Sequence, residues 1–599
     1  MAEPMGQSSG APNKGTRLLS ETQAWWAESA AGRLGRQGAS RSWRTVLAVA
    51  VTSAGVLSAC ASLRAPGVRS DSLSNAAEER ITVEKLAGYV GFLADDSLEG
   101  RGPGTRADQL TQLYLATTFQ ALGLQPGGPN GHWEQPFELL GVTSVPPQHW
   151  PFRAGARTLA LEDRADFVAA SGLDRASVVI DDAEVVFVGY GMQAPEYSWD
   201  DFKGVDLRGK ILLMLNNDPD WDPNLFAGER RLYYGRWTYK YESAARQGAV
   251  GAIIIHTPAS AGYPWQTVVT SWSKENSRLP DALGPLLQVQ SWITDDAARR
   301  LVAFAGRDLD ALTQAAHSRE FAPVPLGVTT HLELHNQVRR YTTANILGVL
   351  PGADDTVRGQ FVVYSAHHDH LGMGRTADDK TVIYNGALDN AAGIAQLLAV
   401  AEAFATIVPA PRRSVLFLAA AAEEQGLLGS EYFAQHPTVA AATMVANINF
   451  DGANIWGRTR DAVAIGFGRS TLDAVVETAA KRQGRVYHDE EFPERGMFYR
   501  SDQFNFARIG VPALLLRSGT DYVGRPPDWG RTQIEAWIAQ HYHQPSDDFI
   551  PTWDLTGMVD DARLALAVGL AVANADDTPK WNPGDEFEAV RNRMMNGEL

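Results

Sequence analysis

The chain has 599 residues, of which 45% are hydrophobic and 21% are charged, a composition typical of globular proteins with a large core. Its formal net charge of −17 argues against nucleic acid as a partner, because binding to phosphates requires a basic surface. The single cysteine, Cys60, excludes an intramolecular disulfide bond and a cysteine-based zinc site, so any bound metal must be held by histidines and carboxylates.

Residues 1–59 have the pattern of an export signal with a long amino-terminal region. Arg41 and Arg44 precede an apolar run, Val46 to Val56, which is too short to span a bilayer. The run leads to Leu-Ser-Ala-Cys at Cys60, which resembles the bacterial lipoprotein box. This resemblance implies membrane attachment through lipid on Cys60, in the outer membrane and facing the periplasm or the exterior. The alternative is an ordinary signal peptide with a coincidental cysteine.

Three segments of different character follow the signal. Residues 60–78 are small and polar and predict a tether. Residues 79–140 contain two apolar patterns of helical spacing around a glycine-rich loop at 96–104, and they predict the first part of a main domain. Residues 141–335 contain short β-rich runs, such as Ile211 to Leu215, and a helix at Tyr241 to Gly248. We interpret this third segment as an inserted α+β domain.

The main domain continues at residues 336–575, where strand and helix patterns alternate. The predicted strands are Phe361 to Ala366, Ser414 to Ala420, Met444 to Phe450 and Val511 to Leu516, and the predicted helices include Ala391 to Phe404 and Leu427 to Gln435. Apolar strands that alternate with helices indicate an α/β fold, with a mostly parallel central sheet flanked by helices on both faces. Residues 576–599 predict a tail that is polar and helical from Trp581.

Polar side chains follow the strands of this sheet at their carboxyl ends, where open α/β folds bind ligands. They are His367 and Asp369 after the first strand, Glu423 and Glu424 after the second, Asp451 after the third, Asp389 before a helix, and His543 further along the chain. Alone, Asp389 could be a helix cap and the two glutamates a solvated pair. Two histidines and three carboxylates can hold two zinc ions if one carboxylate bridges, and a fourth, free carboxylate can activate water. The combination predicts a hydrolase.

Five motifs together resemble the co-catalytic zinc aminopeptidase family, which includes bacterial leucyl-type aminopeptidases and glutamate carboxypeptidases. The motifs are Ser365 to Gly372, Gly386 to Gly393, Glu423 to Ser430, Asn449 to Asp451 and Tyr542 to Asp547. The resemblance covers about residues 80–570. Within it, Phe187 to Gly191, Ala194 to Tyr197 and Gly248 to Ala252 are similar to the protease-associated domain that some members carry as an insertion.

The family resemblance implies a ligand set for two zinc ions, although cobalt or manganese would also suit these ligands. One ion would be held by His367 and Asp451, the second by Glu424 and His543, with Asp389 and a hydroxide bridging them. Glu423 would be the general base. Asp369 would accept a hydrogen bond from His367, and Tyr542 would stabilise the oxyanion or simply pack. His368, His370 and His541 are set aside, because they do not fit the family pattern.

The function expected from this resemblance is a metal-dependent exopeptidase that acts on peptides, with an aminopeptidase as the favoured form. A carboxypeptidase is the nearest alternative, because Arg230, Arg231, Arg236 and Lys240 of the insertion could bind an α-carboxylate. A glutaminyl cyclase is less favoured, since the paired glutamates suit two metals rather than one. A receptor-like protein without activity is also less favoured, since the ligands and the base are all present.

Overall fold

The structure is a computed structural model of the chain and describes residues 75–281, 284–375 and 380–598. The predicted export signal, Cys60 and most of the predicted tether lie outside these residues. Within the described ranges, every helix is either too short or too polar to cross a bilayer.

The helices and strands alternate along the described chain, and they are numbered here in chain order. The α-helices are α1 Val83–Leu93, α2 Arg106–Ala121, α3 Trp237–Arg246, α4 Pro258–Ala261, α5 Trp265–Trp272, α6 Asp295–Phe304, α7 Leu309–Ala316, α8 Ala392–Ala405, α9 Leu428–Gln435, α10 Leu472–Arg482, α11 Gln503–Arg508, α12 Trp529–Gln540, α13 Thr556–Asn574 and α14 Glu588–Met595. The strands are β1 Gln125–Pro126, β2 Glu134–Val145, β3 His149–Ala154, β4 Arg157–Glu162, β5 Phe167–Ala170, β6 Ser177–Phe187, β7 Gln193–Ala194, β8 Trp199–Asp200, β9 Ile211–Leu215, β10 Gly251–His256, β11 Glu275–Arg278, β12 Val289–Thr294, β13 Val324–Leu350, β14 Phe361–His367, β15 Gly372–Arg375, β16 Thr381–Tyr384, β17 Ser414–Ala420, β18 Met444–Phe450, β19 Asp461–Ile465, β20 Val486–His488 and β21 Ala513–Ser518.

The centre of the main domain is a mostly parallel sheet. Strands β17, β14, β18 and β21 lie side by side in that order and are parallel. The end of β13 joins β17 antiparallel, and β19 joins β21 antiparallel on the other side. The large mixed sheet with its flanking helices confirms the predicted fold class.

Both faces of this sheet are buried. On β14, Val362 and Tyr364 pack into one core with α1, α8 and α13, whereas Val363 between them packs into another with α9 and α11. On β17, Phe417 and Leu418 divide between the same two cores. Successive side chains of a strand point to opposite faces, so strands buried on both faces give continuous apolar runs in the sequence.

The predicted strands of the main domain agree closely with the structure. Ser414–Ala420 and Met444–Phe450 have the predicted bounds. The last predicted strand, Val511 to Leu516, is displaced to Ala513–Ser518. The reason is that the amide of Val511 donates to the carbonyl of Phe506 and closes the end of α11, so the strand begins later.

The inserted segment has a sheet and cores of its own. Strands β6, β9, β10 and β12 are parallel neighbours, and β5 adds antiparallel to β12. Helices α3, α6 and α7 contribute side chains to the cores around this sheet, which include the fully buried Trp150 and Trp292. The segment is therefore an α+β unit.

Two long strands connect the insertion to the main domain. β2 and β13 pair antiparallel between residues 134–145 and 335–346, and β13 is 27 residues long. The predicted domain limits, 140/141 and 335/336, fall inside these paired strands. The two parts thus share one continuous sheet, because the same strands contribute residues to both.

The carboxyl-terminal segment differs from the predicted polar helical tail. It is helical only in α14, and Trp581 and Phe587 before this helix are 4% and 0% exposed. The indole nitrogen of Trp581 donates to the carbonyl of Gly510 at 2.9 Å. Burial of these two aromatic side chains anchors the segment to the face of the sheet that carries α11.

Candidate active site

Three parallel strands of the central sheet end at the candidate site. His367 is the last residue of β14, and β17 and β18 end beside it. Asp451 follows β18 directly, and Glu423 and Glu424 follow the turn after β17. The carboxyl ends of parallel strands meet at one edge of a sheet, so residues distant in sequence come together there.

Asp389 lies between the two predicted histidine ligands. Its Oδ1 atom is 3.3 Å from Nε2 of His367, and its Oδ2 atom is 3.4 Å from Nε2 of His543. The backbone amides of Leu388 and Asp389 donate to the carboxylate of Asp547 at 2.8 and 3.1 Å, which fixes this turn. Each oxygen of Asp389 faces a different imidazole, which is the placement required of a bridging carboxylate.

The remaining two predicted ligands complete two groups that share Asp389. Oδ1 of Asp451 is 3.5 Å from Nε2 of His367. Oε2 of Glu424 is 3.0 Å from Nε2 of His543. All five predicted ligands therefore lie together, in the two sets that the family resemblance implies.

The donor set fits divalent cations. Nε2 of His367 and Nε2 of His543 are buried and have no hydrogen-bond partner among the described residues. Their separations from the carboxylate oxygens, 3.0–3.5 Å, are close to the spacing between ligands. That spacing is about 3.3–3.6 Å around tetrahedral zinc with bonds of about 2.0–2.2 Å. A buried nitrogen without a hydrogen-bond partner is unfavourable, and bound cations would give both Nε2 atoms a partner.

The electrostatic field of the site also favours cations. Burial lowers the pKa of His543, but Glu424 and Asp389 raise it to about 9. Burial likewise lowers the pKa of His367, but Glu423 and the neighbouring aspartates raise it well above its ordinary range. The carboxylates therefore create a negative potential in which protons and metal ions compete for the same imidazole nitrogens.

Glu423 lies beside the ligands and faces the cavity. Its Oε2 atom is 3.9 Å from Nε2 of His367, further than the oxygens of Asp389 and Asp451. Burial raises the pKa of Glu423 well above its ordinary value, and Asp451 and Glu424 raise it further, although His367 opposes them. Glu423 is thus placed at the edge of the ligand set, next to the position of the reacting atoms.

Asp369 supports the site in a different way from the predicted one. Nδ1 of His367 is 3.2 Å from the main-chain carbonyl of Asp369 and 3.7 Å from its carboxylate. The carboxylate instead accepts hydrogen bonds from the backbone amides of Glu423 at 3.0 Å and Glu424 at 3.3 Å. The carbonyl fixes the imidazole with Nδ1 protonated and Nε2 directed to the ligands, while the carboxylate positions the glutamate turn.

Tyr542 lines the cavity next to His543. The two rings are 4.0 Å apart, and Nη2 of Arg500 donates to the hydroxyl of Tyr542 at 3.4 Å. Burial raises the pKa of Tyr542, so its hydroxyl remains protonated at neutral pH. A protonated hydroxyl at this position can donate a hydrogen bond into the cavity.

The three histidines set aside in the sequence occupy different places. His368 contacts Oδ1 of Asp108 at 3.3 Å, and His541 contacts a serine hydroxyl at 2.9 Å, so both face away from the site. His370 is different, because its Nδ1 atom is 2.6 Å from Oε1 of Glu424. His370 thus orients a candidate ligand, which the choice of His367 from the strand pattern overlooked.

A residue from the insertion completes the surroundings of His543. Oγ of Ser271, on α5, is 2.9 Å from Nδ1 of His543. Next to it, the amide of Gln544 donates to the hydroxyl of Thr270 at 3.3 Å. These contacts connect residues more than 270 positions apart, and no local pattern in the sequence indicates them.

The predicted glycine-rich loop at residues 96–104 places a buried cation behind the site. The guanidinium of Arg101, only 1% exposed, donates to the main-chain carbonyls of Leu93, His368, Asn385 and Gly386. Two of these carbonyls belong to the turn before Asp389, and one follows His367. Arg101 therefore connects the two loops that carry the candidate ligands.

A cavity of about 200 Å³ opens in front of the ligands. Its lining contains Asp389, Glu423, Glu424, Asp451 and Tyr542. The lining also includes apolar side chains, among them Trp456, Ile465, Phe492, Ile534, Trp537 and Ile538. A substrate can therefore reach the ligand cluster and bury an adjacent group away from water.

Residues 345–567 match the family description Peptidase family M28. The chain carries an M28 peptidase domain. The M28 domain contains all five candidate ligands and Glu423, Asp369 and Tyr542, so the family match and the spatial cluster coincide. The match confirms the family that the five motifs resemble.

Two curated relatives are similar to part of this chain. Aminopeptidase NAALADL1 of Rattus norvegicus is 25% identical over 396 residues, which cover 57% of this chain and 46% of that protein. Aminopeptidase NAALADL1 of Mus musculus is 29% identical over 154 residues, which cover 24% of this chain and 19% of that protein. The chain thus spans less than half of the length of these relatives.

Among solved structures, an aminopeptidase from Aneurinibacillus sp. strain AM-1 has a similar fold. Its TM-score to this chain is 0.50 at 18% sequence identity, over 86% of this chain and 97% of that one. Because the aligned segment covers nearly all of that protein, the likeness includes the insertion as well as the M28 domain. At 18% sequence identity, this similarity shows a shared fold and nothing further.

Proposed function

We propose that the chain is a zinc-dependent aminopeptidase that holds two zinc ions in the M28 domain. The observation that carries this proposal is the placement of Asp389 between His367 and His543, whose buried Nε2 atoms have no partner among the described residues. The cluster opens into a cavity with Glu423 on its wall. Because Asp389 faces both histidines, the site favours a pair of ions over the single zinc of a glutaminyl cyclase.

Zinc ions bound in this cluster would supply Lewis acidity, which polarises the scissile carbonyl and acidifies the attacking water. Glu423 accepts the proton of that water as the new bond to carbon forms, and then delivers it to the leaving amine. The hydrogen bonds from the amides of Glu423 and Glu424 to Asp369 hold the base in place during both transfers. His367 and His543 would bind zinc only as neutral imidazoles. Their pKa values are raised in the absence of metal, so bound zinc would compete with protons and lower these pKa values.

Tyr542 has a separate task in this proposal. Its protonated hydroxyl donates a hydrogen bond to the carbonyl oxygen as negative charge develops there. Arg500 donates to the same hydroxyl at 3.4 Å, which orients it and makes it a stronger donor. The expected loss on replacing Tyr542 by Phe is therefore in turnover rather than in metal content.

The preference for the amino terminus rests partly on the fate of the basic residues in the insertion. Arg230 pairs with Glu490 and Asp489, and Lys240 donates to the carbonyls of Tyr190 and Asn217. The guanidinium of Arg231 donates to a main-chain carbonyl. Three of the four candidate cations are thus engaged within the protein, and the names of the curated relatives support the same direction of attack.

One observation favours the carboxypeptidase alternative. Arg236 and Arg500 are half-buried and line one small cavity, and burial and Arg500 lower the pKa of Arg236 to about 10. Tyr542 and Glu423 raise the pKa of the same group, and Arg500 also lines the catalytic cavity. Two neighbouring guanidinium groups could bind an α-carboxylate.

Digestion of one short peptide in three forms separates the two directions. We expect residues to be lost from the amino end of the free and the amidated peptide, while the acetylated peptide stays intact in mass spectra. Residues lost from the carboxyl end of the acetylated peptide would instead support the carboxypeptidase. Stability of all three peptides in the presence of zinc would contradict the peptidase proposal itself.

We further propose that the chain is exported and attached to the bacterial outer membrane through lipid on Cys60, and that its insertion is a protease-associated domain. The support is the Leu-Ser-Ala-Cys pattern and the motif at Phe187 to Gly191. Replacing Cys60 by Ser should move the protein from the membrane fraction to the soluble fraction. An unchanged distribution would contradict lipid attachment.

A further inference from the structure

A second group of metal-binding side chains lies outside the ligand cluster of the M28 active site. Asp461 begins β19, His488 ends β20, and Glu491 follows three residues later. Nε2 of His488 is 3.2 Å from Oδ2 of Asp461 and 3.8 Å from Oε1 of Glu491. One donor atom from each of the three residues lies within 4.8 Å of the other two.

The hydrogen bond on the other side of the His488 ring sets its tautomer. Nδ1 is 2.7 Å from the main-chain carbonyl of Asp489, and a carbonyl can only accept, so Nδ1 carries a proton. In the neutral ring, the lone pair of Nε2 therefore points at the two carboxylates. Metal-ligating histidines are held in this way, with one nitrogen donating to a carbonyl and the other free for the metal.

The two carboxylates are held in place from behind. The backbone amides of Thr520 and Asp521 donate to Asp461 at 3.0 and 3.1 Å. The hydroxyl of Thr520 donates to Glu491 at 3.3 Å. Both amides bind Oδ2 of Asp461, and a carboxylate has about four lone-pair positions, so lone pairs remain on each carboxylate for a cation.

We infer that Asp461, His488 and Glu491 bind a third divalent cation. One imidazole and two carboxylates suit zinc and similar metals, and the two negative charges balance a divalent ion. The side chain of His488 is 40% exposed, whereas that of Asp461 is 8% exposed. The cation would thus be reached from solvent and would keep water in its remaining positions.

The position of this site gives the ion a structural task. Glu491 lines the cavity of the M28 domain together with Glu490 and Phe492. An ion that joins Glu491 to β19 and β20 fixes this part of the cavity wall to the edge of the central sheet. The site is independent of the proposed peptidase activity, because it shares no residue with the ligand cluster.

Zinc counting tests the inference. The full chain is stripped with a chelator, dialysed against zinc at pH 7.5 and desalted, and zinc per chain is measured by mass spectrometry. We expect His488→Gln and Glu491→Gln each to hold one zinc ion fewer than the unchanged chain. The control His335→Gln, on an exposed histidine of β13, should hold the full number.

The active-site variant Asp389→Asn separates this inference from the proposed function. It should lose zinc from the main cluster and keep the ion that His488→Gln removes. Equal zinc content in the unchanged chain, His488→Gln and Glu491→Gln would overturn the third site, because an Asp461–His488 ion pair needs no metal. Unchanged zinc content in Asp389→Asn, together with a loss in His488→Gln, would overturn the two-zinc proposal and leave the third site standing.

Discussion

Glu423 and Glu424 are neighbours in sequence, but their side chains meet different partners. Glu424 contacts His543 at 3.0 Å and His370 at 2.6 Å, whereas Glu423 lies at the cavity wall, 3.9 Å from His367. Their opposite directions follow from the turn after β17, whose two amides are both bound by Asp369. In the proposed mechanism, the adjacent carboxylates thus divide into one metal ligand and one base.

Replacing Glu423 by Gln should therefore reduce kcat by about 100- to 10 000-fold, the usual contribution of general acid–base catalysis. Zinc content should stay unchanged, because Glu423 is not a ligand in this arrangement. The matched variant Glu424→Gln should lose zinc as well as activity. Steady-state kinetics and metal analysis on the same samples test this division, and near-normal kcat in Glu423→Gln would reject the base.

Ser271 is the residue whose role is least visible in the sequence. Its hydroxyl lies 2.9 Å from Nδ1 of His543, so it holds the imidazole with Nε2 directed at Asp389 and Glu424. Loss of such a supporting hydrogen bond typically lowers metal affinity about 10–100-fold. We expect this loss in Ser271→Ala, measured by competition with a chromogenic chelator.

The neighbouring variant Ser273→Ala is the control for this experiment, because Ser273 lies just after α5 on the same segment. At saturating zinc, Ser271→Ala should recover most of its kcat, since the hydroxyl acts on the position of the ligand. Equal zinc affinity in both variants would show that the hydroxyl does not support His543.

Four of the five ligand residues could be found from the sequence because each follows an apolar strand or precedes a helix, whereas His543 was identified from the family motif around it. The supporting residues could not be found in this way. Ser271, His370 and Arg101 act through contacts with segments far away in the chain, and isolated serines, histidines and arginines carry no local pattern. Asp369 was found, but whether its carbonyl or its carboxylate contacts His367 depends on a turn that a sequence does not define.

At the scale of elements, two strands buried on both faces, Ser414–Ala420 and Met444–Phe450, were predicted to the residue. Met444–Phe450 has the pattern of an unbroken strand because helices cover both faces, and the side-chain amides of the polar Asn447 and Asn449 within it donate buried hydrogen bonds. The joining of β2 and β13 was not predictable in the same way. Their alternating pattern indicates a strand, but it does not show that one strand runs through both the insertion and the main domain.

The loop before α2 connects elements that the sequence leaves separate. Arg101 is buried and donates to four carbonyls, so Arg101→Ala would leave several buried acceptors without partners. We expect a loss of about 3–5 kcal/mol in the free energy of unfolding, comparable to breaking a buried charge interaction. Denaturant unfolding followed by fluorescence measures this loss.

The control for this loop is Arg106→Ala, because Arg106 begins α2 and is exposed. It should change the unfolding free energy by about 0.5 kcal/mol or less, as is usual at the surface. Similar stability in Arg101→Ala and in the unchanged chain would show that water or other donors replace the guanidinium.

At the scale of the whole molecule, the insertion is part of the active site. β13 carries the chain from the insertion into the central sheet, and α5 places Ser271 and Thr270 against the His543 loop. The amine of Lys274 donates to the carbonyl of Leu371 at 3.3 Å, near His370. The insertion therefore contacts both loops that carry histidines of the cluster, and its removal would expose them.

The final prediction concerns the stability of the whole chain and its dependence on pH. Zinc binds only to the folded cluster, so it stabilises the fold by about 2.7 kcal/mol when its free concentration is about 100 times Kd. In the metal-free fold, the carboxylates raise the pKa of His543 to about 9, above the value of about 6.5 in an unfolded chain. Protonated His543 therefore stabilises the metal-free fold at pH 6, and this contribution is lost as the pH rises towards 9.

Zinc requires the neutral imidazole, so its affinity should rise over the same interval. The increase in Tm on adding zinc should then be larger at pH 8 than at pH 6, as measured by differential scanning calorimetry in matched buffers. His543→Gln removes one of the two imidazoles with a raised pKa, and its smaller increase in Tm should depend less on pH. An equal increase at both pH values in the unchanged chain would contradict competition between protons and zinc, and with it the assignment of His543 as a ligand.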